Sequence, residues 1–387
     1  MSASIIPLCV PNIGELEREY LNECVDSTFV STVGPFVDRF EESVAALSGS
    51  SKGVATSAGT TALHVALVAV GVQPGNLVIC PDYTFIASVN AVRHQYAEPW
   101  LFDICEENWT IDVDQMEEAL EQNTSRSGED LFHKITGQRI ACIMPVYTLG
   151  SVANMQRINE LAQRFSLPVV ADAAAAIGAR YNGEVLGNLA DLTCFSFNGN
   201  KTITSGGGGM VIGRDSRLLD RVRHLTTTAR STANYDYDEV GYNYRMTNLQ
   251  AAVGCAQLER LDSFVETKKS ISANYDAAFK DLSSVESFPD ADWSESVKWF
   301  SGILLSKNST LCADQIIKLL NEEGIMARAF WKPIHRQAPY ESSVMESLRL
   351  SESIWDKIVT LPCSTGLSSE DQSKCIESVR SIFMGHS

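Results

Sequence analysis

The chain has 387 residues, of which 44% are hydrophobic and 20% charged, and its formal net charge is −17. These proportions are typical of a soluble globular protein, and the length allows one large domain and one smaller domain. The negative charge argues against a nucleic-acid partner, which would need a basic face.

The N-terminal residues MSASIIPLCV lack a basic flank and a cleavage site, and the apolar runs are too short for a membrane span. The ten cysteines are scattered without a CxxC pair or a Cys/His cluster. Most of them lie in apolar runs, where cysteine behaves as a small hydrophobe. We therefore expect a cytoplasmic, reduced protein with no membrane contact and no metal site.

A turn of small residues, SAGTT at 57–61, separates a short predicted strand (residues 53–56) from an apolar predicted helix that runs to residue 70. Two helical patterns, residues 13–25 and 37–47, precede it. Free N–H groups at such a helix start favour an anion site. Simple capping of the helix by Ser57 or Thr60 is the alternative, and the sequence leaves both interpretations open.

Strands and helices then alternate along the chain. Apolar strands are predicted at residues 77–80, 99–102, 140–146 and 167–171, and helices at 85–92, 113–120 and 155–165. Continuous apolar strands separated by helices indicate an α/β fold with a parallel sheet covered on both faces. The polar segment 122–138 is predicted to be an excursion outside the core. Function in such sheets gathers at the carboxyl ends of strands, where Tyr83, Tyr147 and Asp172 are expected.

Asp172 ends the fourth of these strands and is followed by four alanines. A carboxylate beside a wall of methyl groups needs a partner, and a protonated ring nitrogen would be suitable. The alternative is that Asp172 caps the next helix.

A lysine-containing turn comes next. Predicted strands at residues 192–197 and 210–212 flank Lys201 and four consecutive glycines, Gly206 to Gly209. The glycines indicate a close backbone approach, and a lysine without a nearby carboxylate can be held neutral and nucleophilic. A hairpin with a solvated lysine at its tip is the alternative. A phosphate-binding P-loop is excluded, because Asn200 and Phe195 stand where that motif needs glycine.

The C-terminal part changes character. A long amphipathic helix, residues 248–275, is predicted to lead into a small α+β domain with a strand at 300–305 and helices at 314–323 and 369–384. We predict a large domain over residues 1–260, followed by the bridging helix and small domain over 261–387.

Together these segments resemble the fold-type-I, pyridoxal-phosphate-dependent nucleotide-sugar aminotransferases of the DegT-like family. The resemblance runs along almost the whole chain and is carried by STVGPFVDRFEES, SAGTTALHVAL, PDYTFIASVNA, PVYTLG, VVADAAAAIGA, FSFNGNKTITSGGGGMV, GYNYRMTNLQAAVG and WKPIHRQAPY. It implies an aspartate-aminotransferase-like fold and pyridoxal 5′-phosphate as the cofactor.

The resemblance also implies roles for individual residues. Lys201 would bond to the cofactor aldehyde and carry the proton, and Asp172 would keep the ring nitrogen protonated. The implied cofactor-binding positions are Gly59, Thr60, Thr61, Phe85, Asp172, Ala175, Ser196, Asn198, Lys201 and, from a neighbouring subunit, Asn243. The substrate would meet Tyr147, Trp331 and His335, although a packed or exposed His335 is an open alternative. Ala175 departs from the family, because many relatives have glutamine there.

The implied reaction is glutamate-dependent amination of a nucleotide sugar by a homodimer with shared sites. FSFNGNK with four glycines is most similar to the branch that aminates C4 of UDP-linked 4-keto-6-deoxy-N-acetylglucosamine. Amination at C3, or of a GDP- or dTDP-linked sugar, is a second interpretation, and ligand sensing without catalysis is a third. Related dehydratases replace the lysine with histidine, so Lys201 favours transamination.

Overall fold

The computed structural model describes residues 5–385, in which helices and strands alternate. The helices are α1 (Glu15–Asp26), α2 (Pro35–Ser48), α3 (Gly59–Ala69), α4 (Ile86–His94), α5 (Val113–Asn123), α6 (Met155–Phe165), α7 (Ser216–Thr226), α8 (Asn248–Leu258), α9 (Leu261–Phe279), α10 (Ala313–Glu322), α11 (Arg349–Ile354) and α12 (Ser369–Met384). Within residues 5–385 none of these helices is long and apolar enough to cross a lipid bilayer.

The strands are short, as expected for a sheet layered with helices. They are β1 (Val54–Thr56), β2 (Leu77–Pro81), β3 (Glu98–Phe102), β4 (Thr124–Ser127), β5 (Asp130–His133), β6 (Arg139–Ile143), β7 (Val170–Asp172), β8 (Arg180–Tyr181), β9 (Glu184–Val185), β10 (Leu192–Ser196), β11 (Gly209–Ile212), β12 (Val285–Glu286), β13 (Ser294–Glu295), β14 (Ser301–Leu305), β15 (Arg328–Ala329), β16 (Val344–Met345) and β17 (Ile358–Leu361).

A mostly parallel sheet forms the centre of the large part of the molecule. Its strands lie in the order β1-β11-β10-β7 and β6-β2-β3-β16, and the bridges Ile143–Val169 and Val146–Asp172 join the two sets. The pairs β7–β10, β2–β6, β2–β3 and β3–β16 are parallel, which confirms the predicted α/β fold. β11 runs antiparallel to both its neighbours, because a loop without a crossover helix returns the chain from β10 directly beside itself.

The polar segment 122–138 is not an excursion outside the sheet, and that prediction was wrong. It forms the antiparallel hairpin β4–β5, which pairs through Leu131 with Ile140 of β6. Leu131 and His133 alternate with more exposed residues and point into the core, where Leu131 is 3% exposed. Two inward positions are enough to attach a polar hairpin to a sheet edge.

The long helix predicted at residues 248–275 is two helices, α8 and α9, with a break at Glu259 and Arg260. Arg260 leaves the helical conformation (φ −108°, ψ 4°), and its guanidinium donates to Asn12 Oδ1 at 2.9 Å. A contact with the N-terminal segment therefore decides where the helix ends. α9 begins at Leu261, where the predicted division of the chain falls, and that division stays a prediction.

The C-terminal part contains an antiparallel sheet, β12-β14-β17-β15, against which α9 and α10 pack, and α12 packs on these two helices. Two short strands from this part of the chain pair with strands outside that sheet. β13 pairs with β8, and β16 pairs in parallel with β3 at the edge of the large sheet. The predicted small α+β unit therefore also supplies strands to the sheets of the large part.

The side chain of Asn248, at the start of α8, holds the N-terminal helices in place. Its Oδ1 accepts from the Phe36 amide at 2.9 Å, and its Nδ2 donates to the Phe29 carbonyl at 2.8 Å. Asn248 is fully buried. Gly34 permits this approach, because a Cβ at that position would lie 2.3 Å from Asn248 Cγ.

We expect Asn248→Ala to lower the free energy of unfolding by about 2 kcal/mol, because the buried Phe36 amide and the partly buried Phe29 carbonyl lose their partner. Urea unfolding followed by circular dichroism measures the change. Asn308→Ala, at an exposed asparagine, is the matched control and should stay within about 0.5 kcal/mol of the wild type. Equal losses in both variants would contradict this role of Asn248.

Candidate active site

A cavity of about 310 Å³ opens at the carboxyl ends of the strands. Asp172 is the last residue of β7 and Ser196 the last of β10, while Gly59 begins α3 and Phe85 caps α4. Most of the residues singled out from the sequence line it, namely Gly59, Thr60, Phe85, Tyr147, Asp172, Ala175, Ser196, Asn198, Lys201 and Trp331. The fold thus brings residues from six segments of the chain to one place.

Lys201 lies in the loop between β10 and β11, with its Nζ 3.6 Å from the centre of the Trp299 ring. Trp299 Nε1 donates to the Asn200 carbonyl at 2.6 Å and so fixes the indole beside the lysine. Burial lowers the pKa of Lys201 to about 8, although the charge of Asp172 acts in the opposite direction. The interpretation as a solvated lysine at a hairpin tip is therefore wrong, because this amine is enclosed and partly neutral near neutral pH.

Asp172 is buried and held by two hydrogen bonds. Ser88 Oγ donates to Asp172 Oδ2 at 2.7 Å, and the Ala174 amide donates to Oδ1 at 3.0 Å. Burial raises the pKa of Asp172, while these two hydrogen bonds and the charge of Lys201 lower it. The bond to Ala174 closes a turn and no helix follows, so capping of a helix by Asp172 is wrong.

The glycine tract allows the strands to press against the first turn of α3. A Cβ on Gly209 would lie 2.5 Å from the Ala58 carbonyl oxygen, and one on Gly59 would lie 2.7 Å from Ser196 Cβ. Gly208 also has a positive φ of 109°, which favours glycine. The close approach predicted from the sequence is therefore the contact between the tract and the start of α3.

That first turn of α3 has the features of an anion site. The first N–H groups of a helix have no partner within the helix, and α3 carries no acidic residue in its first turn. Thr61 does not line the cavity. Its Oγ1 accepts a hydrogen bond from the Ala58 amide at 3.0 Å. The side chain that caps the start of α3 is therefore that of Thr61, not that of Ser57 or Thr60.

Aromatic side chains form one wall of the cavity. Trp331 stacks on Phe330 with ring centres 4.2 Å apart, and the Phe85 ring lies 6.3 Å from Trp331. Phe85 is 53% exposed, so its ring face is open to a ligand. The buried hydroxyl of Tyr147 has no hydrogen-bond partner in the part of the chain that the structure describes.

His335 does not line the cavity, and its expected contact with the substrate stays a prediction. Its Nδ1 lies 2.7 Å from Asp82 Oδ2, and its Nε2 contacts Glu352. The His335 amide also donates to Asp82 Oδ1 at 2.9 Å. The histidine is packed, as the open alternative states, and its ring fastens the segment that carries Trp331 to the carboxyl end of β2.

Asn243 also lies outside the cavity of its own chain. It is exposed, and its backbone forms a bridge with Thr227.

Ser88, Trp299 and Arg328 are among the cavity residues that were not singled out from the sequence. The sequence could have indicated Ser88, because it lies one helical turn after Phe85 on a predicted helix and so faces the same side. Trp299 stands immediately before a predicted strand, and nothing local links it to a lysine 98 positions earlier in the chain. Arg328 lies in the short strand β15, whose position depends on its pairing with β17.

Comparisons with known proteins find a matching family model and similar chains. A model of the DegT/DnrJ/EryC1/StrS aminotransferase family matches residues 11–380. A GDP-perosamine synthase of Caulobacter vibrioides is 35% identical over 98% of both chains. A UDP-4-amino-4,6-dideoxy-N-acetyl-beta-L-altrosamine transaminase of Campylobacter jejuni is 26% identical over 93% of both. Among solved structures, a DegT DnrJ EryC1 StrS aminotransferase of Brucella abortus has a TM-score of 0.87, 27% identity and 95% coverage of both chains.

We expect the reactivity of the Lys201 amine to rise with pH through about 8, because burial lowers its pKa to that value and only the neutral amine is nucleophilic. Reductive methylation of protein pretreated with hydroxylamine, which removes bound aldehydes, measures this through the mass of the peptide containing Lys201. In the denatured chain the methylation of the same peptide should rise with pH around the ordinary lysine pKa of roughly 10.4. Identical pH profiles for the folded and denatured chains would contradict the lowered pKa.

Proposed function

Because the chain belongs to the DegT/DnrJ/EryC1/StrS aminotransferase family, we propose that it transfers an amino group from L-glutamate to a keto group of a nucleotide-linked sugar, with pyridoxal 5′-phosphate as the cofactor. One observation carries this proposal. Lys201, with its lowered pKa, and the buried carboxylate of Asp172 line the same cavity.

The chemistry of the cavity fits the cofactor. When bound, pyridoxal phosphate supplies an aldehyde and an electron-withdrawing ring. Lys201 offers the amine that the aldehyde requires, and Asp172 offers a carboxylate for the ring nitrogen. The N–H groups of Gly59, Thr60 and Thr61, together with the Ser196 hydroxyl, would hold the phosphate at the start of α3. Phe85 would cover one face of the ring, and Asn198 and Ala175 would complete the lining.

Lys201 has two tasks in this proposal. It holds the cofactor through its Nζ atom, and once freed it moves a proton to and from the reacting carbon. A pKa of about 8 suits both tasks, because the amine is a base near neutral pH without being fully protonated. Trp299, which packs against Nζ, keeps water from that side of the amine.

Asp172 would hold the proton on the ring nitrogen. Burial makes an isolated charge on Asp172 costly, so a cationic partner in contact with the carboxylate is favoured. Ser88 fixes the carboxylate through Oδ2. Ala175 presents only a methyl group to the cavity, so Asp172 and Ser88 supply the polar contacts on this side.

The names of similar proteins rank the candidate nucleotide sugars. Relatives that are 31–35% identical over nearly the whole chain are named GDP-perosamine synthases, which makes a GDP-linked keto sugar the first candidate. UDP-linked 4-keto-6-deoxy-N-acetylglucosamine is the second, supported by the FSFNGNK–GGGG segment and by the 26% identical UDP-sugar transaminase. Trp331 and Tyr147 are the proposed contacts of the sugar.

We expect product from at least one of four keto sugars incubated with the protein, cofactor and L-glutamate, with the GDP-linked 4-keto-6-deoxyhexose preferred. The others are UDP-4-keto-6-deoxy-N-acetylglucosamine, a dTDP-linked 4-keto-6-deoxyhexose and a 3-keto nucleotide sugar. Mass spectrometry of the products gives kcat/KM for each. A tenfold preference, about 1.4 kcal/mol of transition-state discrimination, assigns the substrate. A Lys201→Ala control should be inactive, and absence of any amino sugar in the wild type would refute the proposed function.

The proposal includes a homodimer in which Asn243 reaches the cofactor phosphate of the partner. Asn243 is exposed and lies outside its own cavity, so it is free to contact another chain. A partner chain would also bury apolar side chains that are exposed in the single chain, among them Phe29 (46% exposed), Val33 (62%) and Val240 (85%).

Mixing inactive Lys201→Ala with inactive Asn243→Asp subunits should restore activity. In a mixed dimer one site carries both changes and the other carries neither, so random exchange restores about one quarter of wild-type activity. Activity and native mass spectrometry are measured on the same mixture. Mixed dimers without activity would show that each site uses residues of one chain.

A further inference from the structure

Arg328 lines the same cavity as Lys201 and is exposed there. We propose that its guanidinium binds a carboxylate of the amino donor, which places the donor for reaction at Lys201. This inference rests on the proposed aminotransferase function and deepens it, because it assigns the residue that recognises one of the two substrates.

The position of Arg328 is fixed before a ligand binds. Its backbone pairs with Thr360 of β17, and Thr360 Oγ1 donates to the Arg328 carbonyl at 2.8 Å. The guanidinium carbon lies 5.5 Å from the centre of the Phe300 ring, and such stacking leaves the edge of the guanidinium, with its N–H groups, available. An arginine that is already oriented loses less entropy when it binds an anion.

The guanidinium has no acidic partner of its own. Among residues 5–385 most arginines form ion pairs, as Arg336 does with Glu352, whereas no aspartate or glutamate lies within ion-pair distance of Arg328. The acidic residue of the cavity, Asp172, is engaged by Ser88 and Ala174. In a chain with a net charge of −17, an unpaired arginine beside a buried lysine favours an anionic ligand.

The two cysteines near Arg328 do not supply that anion. The pKa of the Cys363 thiol is lowered, first by the hydrogen bond with Cys9, then by the charge of Lys268 and least by that of Arg328. Lys268 Nζ contacts Cys9 Sγ at 3.9 Å and donates to the Cys363 carbonyl at 2.8 Å. Lys268 is therefore the cation in contact with this pair, and Arg328 is left for a ligand.

Cavity size distinguishes the two anionic substrates. A cavity of about 310 Å³ is at the small end of ligand pockets, which range over roughly 300–1,000 Å³. The cavity would also hold the cofactor, so we expect a nucleotide sugar to extend beyond it, with its diphosphate, a whole sugar ring away from the keto carbon, outside. In an amino-acid donor the carboxylate is attached to the reacting carbon itself and lies inside. Arg328 and a carboxylate also match as a bidentate pair.

The donor half-reaction tests the inference without any sugar. Holoenzyme is mixed with L-glutamate, and the change in cofactor absorbance gives the rate as a function of glutamate concentration. Arg328→Gln should raise the glutamate concentration for half-maximal rate at least tenfold, and Arg328→Lys should recover part of the loss because the charge is kept. Lys318→Gln removes one positive charge from an exposed site of the same part of the chain, outside the cavity, and should match the wild type.

Two further measurements make the result decisive. Calorimetry with glutarate, an unreactive dicarboxylate, should show that the Arg328→Gln holoenzyme binds glutarate tenfold more weakly than the wild type. The KM for the keto sugar should change less than threefold. Unchanged glutamate and glutarate dependence, or a larger effect on the keto sugar than on glutamate, would overturn the inference and leave the proposed function standing. A wild-type protein that neither reacts with glutamate nor binds glutarate would overturn both.

Discussion

Desolvation of two opposite charges in one cavity is the constraint on which the site depends. Burial lowers the pKa of Lys201 and raises that of Asp172, so each group is pushed toward its neutral form, and their mutual attraction offsets this only in part. A protein gains no stability from such an arrangement. It gains an amine that reacts at neutral pH and a carboxylate that favours a cationic partner.

The backbone around this pair is shaped to keep it enclosed. Glycines at 208 and 209 let β11 pass against the start of α3, and Trp299 reaches across from the C-terminal part of the chain to cover the lysine. The carboxyl ends of β7 and β10 bring Asp172 and Ser196 to the same rim. Side-chain chemistry and backbone shape thus come from different parts of the sequence.

The sequence predicted the elements whose causes are local. Apolar runs separated by amphipathic segments indicated the parallel sheet, and the ends of those runs marked Asp172 and the Lys201 loop. It did not predict features set by contacts distant in the chain. The break at Arg260 depends on Asn12, the packing of His335 depends on Asp82 and Glu352, and the place of Arg328 depends on β17. A one-dimensional pattern contains no information on which distant side chains meet.

The return of β16 to the edge of the large sheet affects how the protein is made. β3 pairs with β2 on one side, and its other side lies at the edge until residues 344–345 pair with it. During synthesis the backbone N–H and C=O groups of that outer side therefore stay unpaired while more than 240 further residues are translated. An unpaired strand edge is a template for association with other chains. Completion of the polypeptide therefore also removes the exposed edge, which links solubility of the nascent protein to its last quarter.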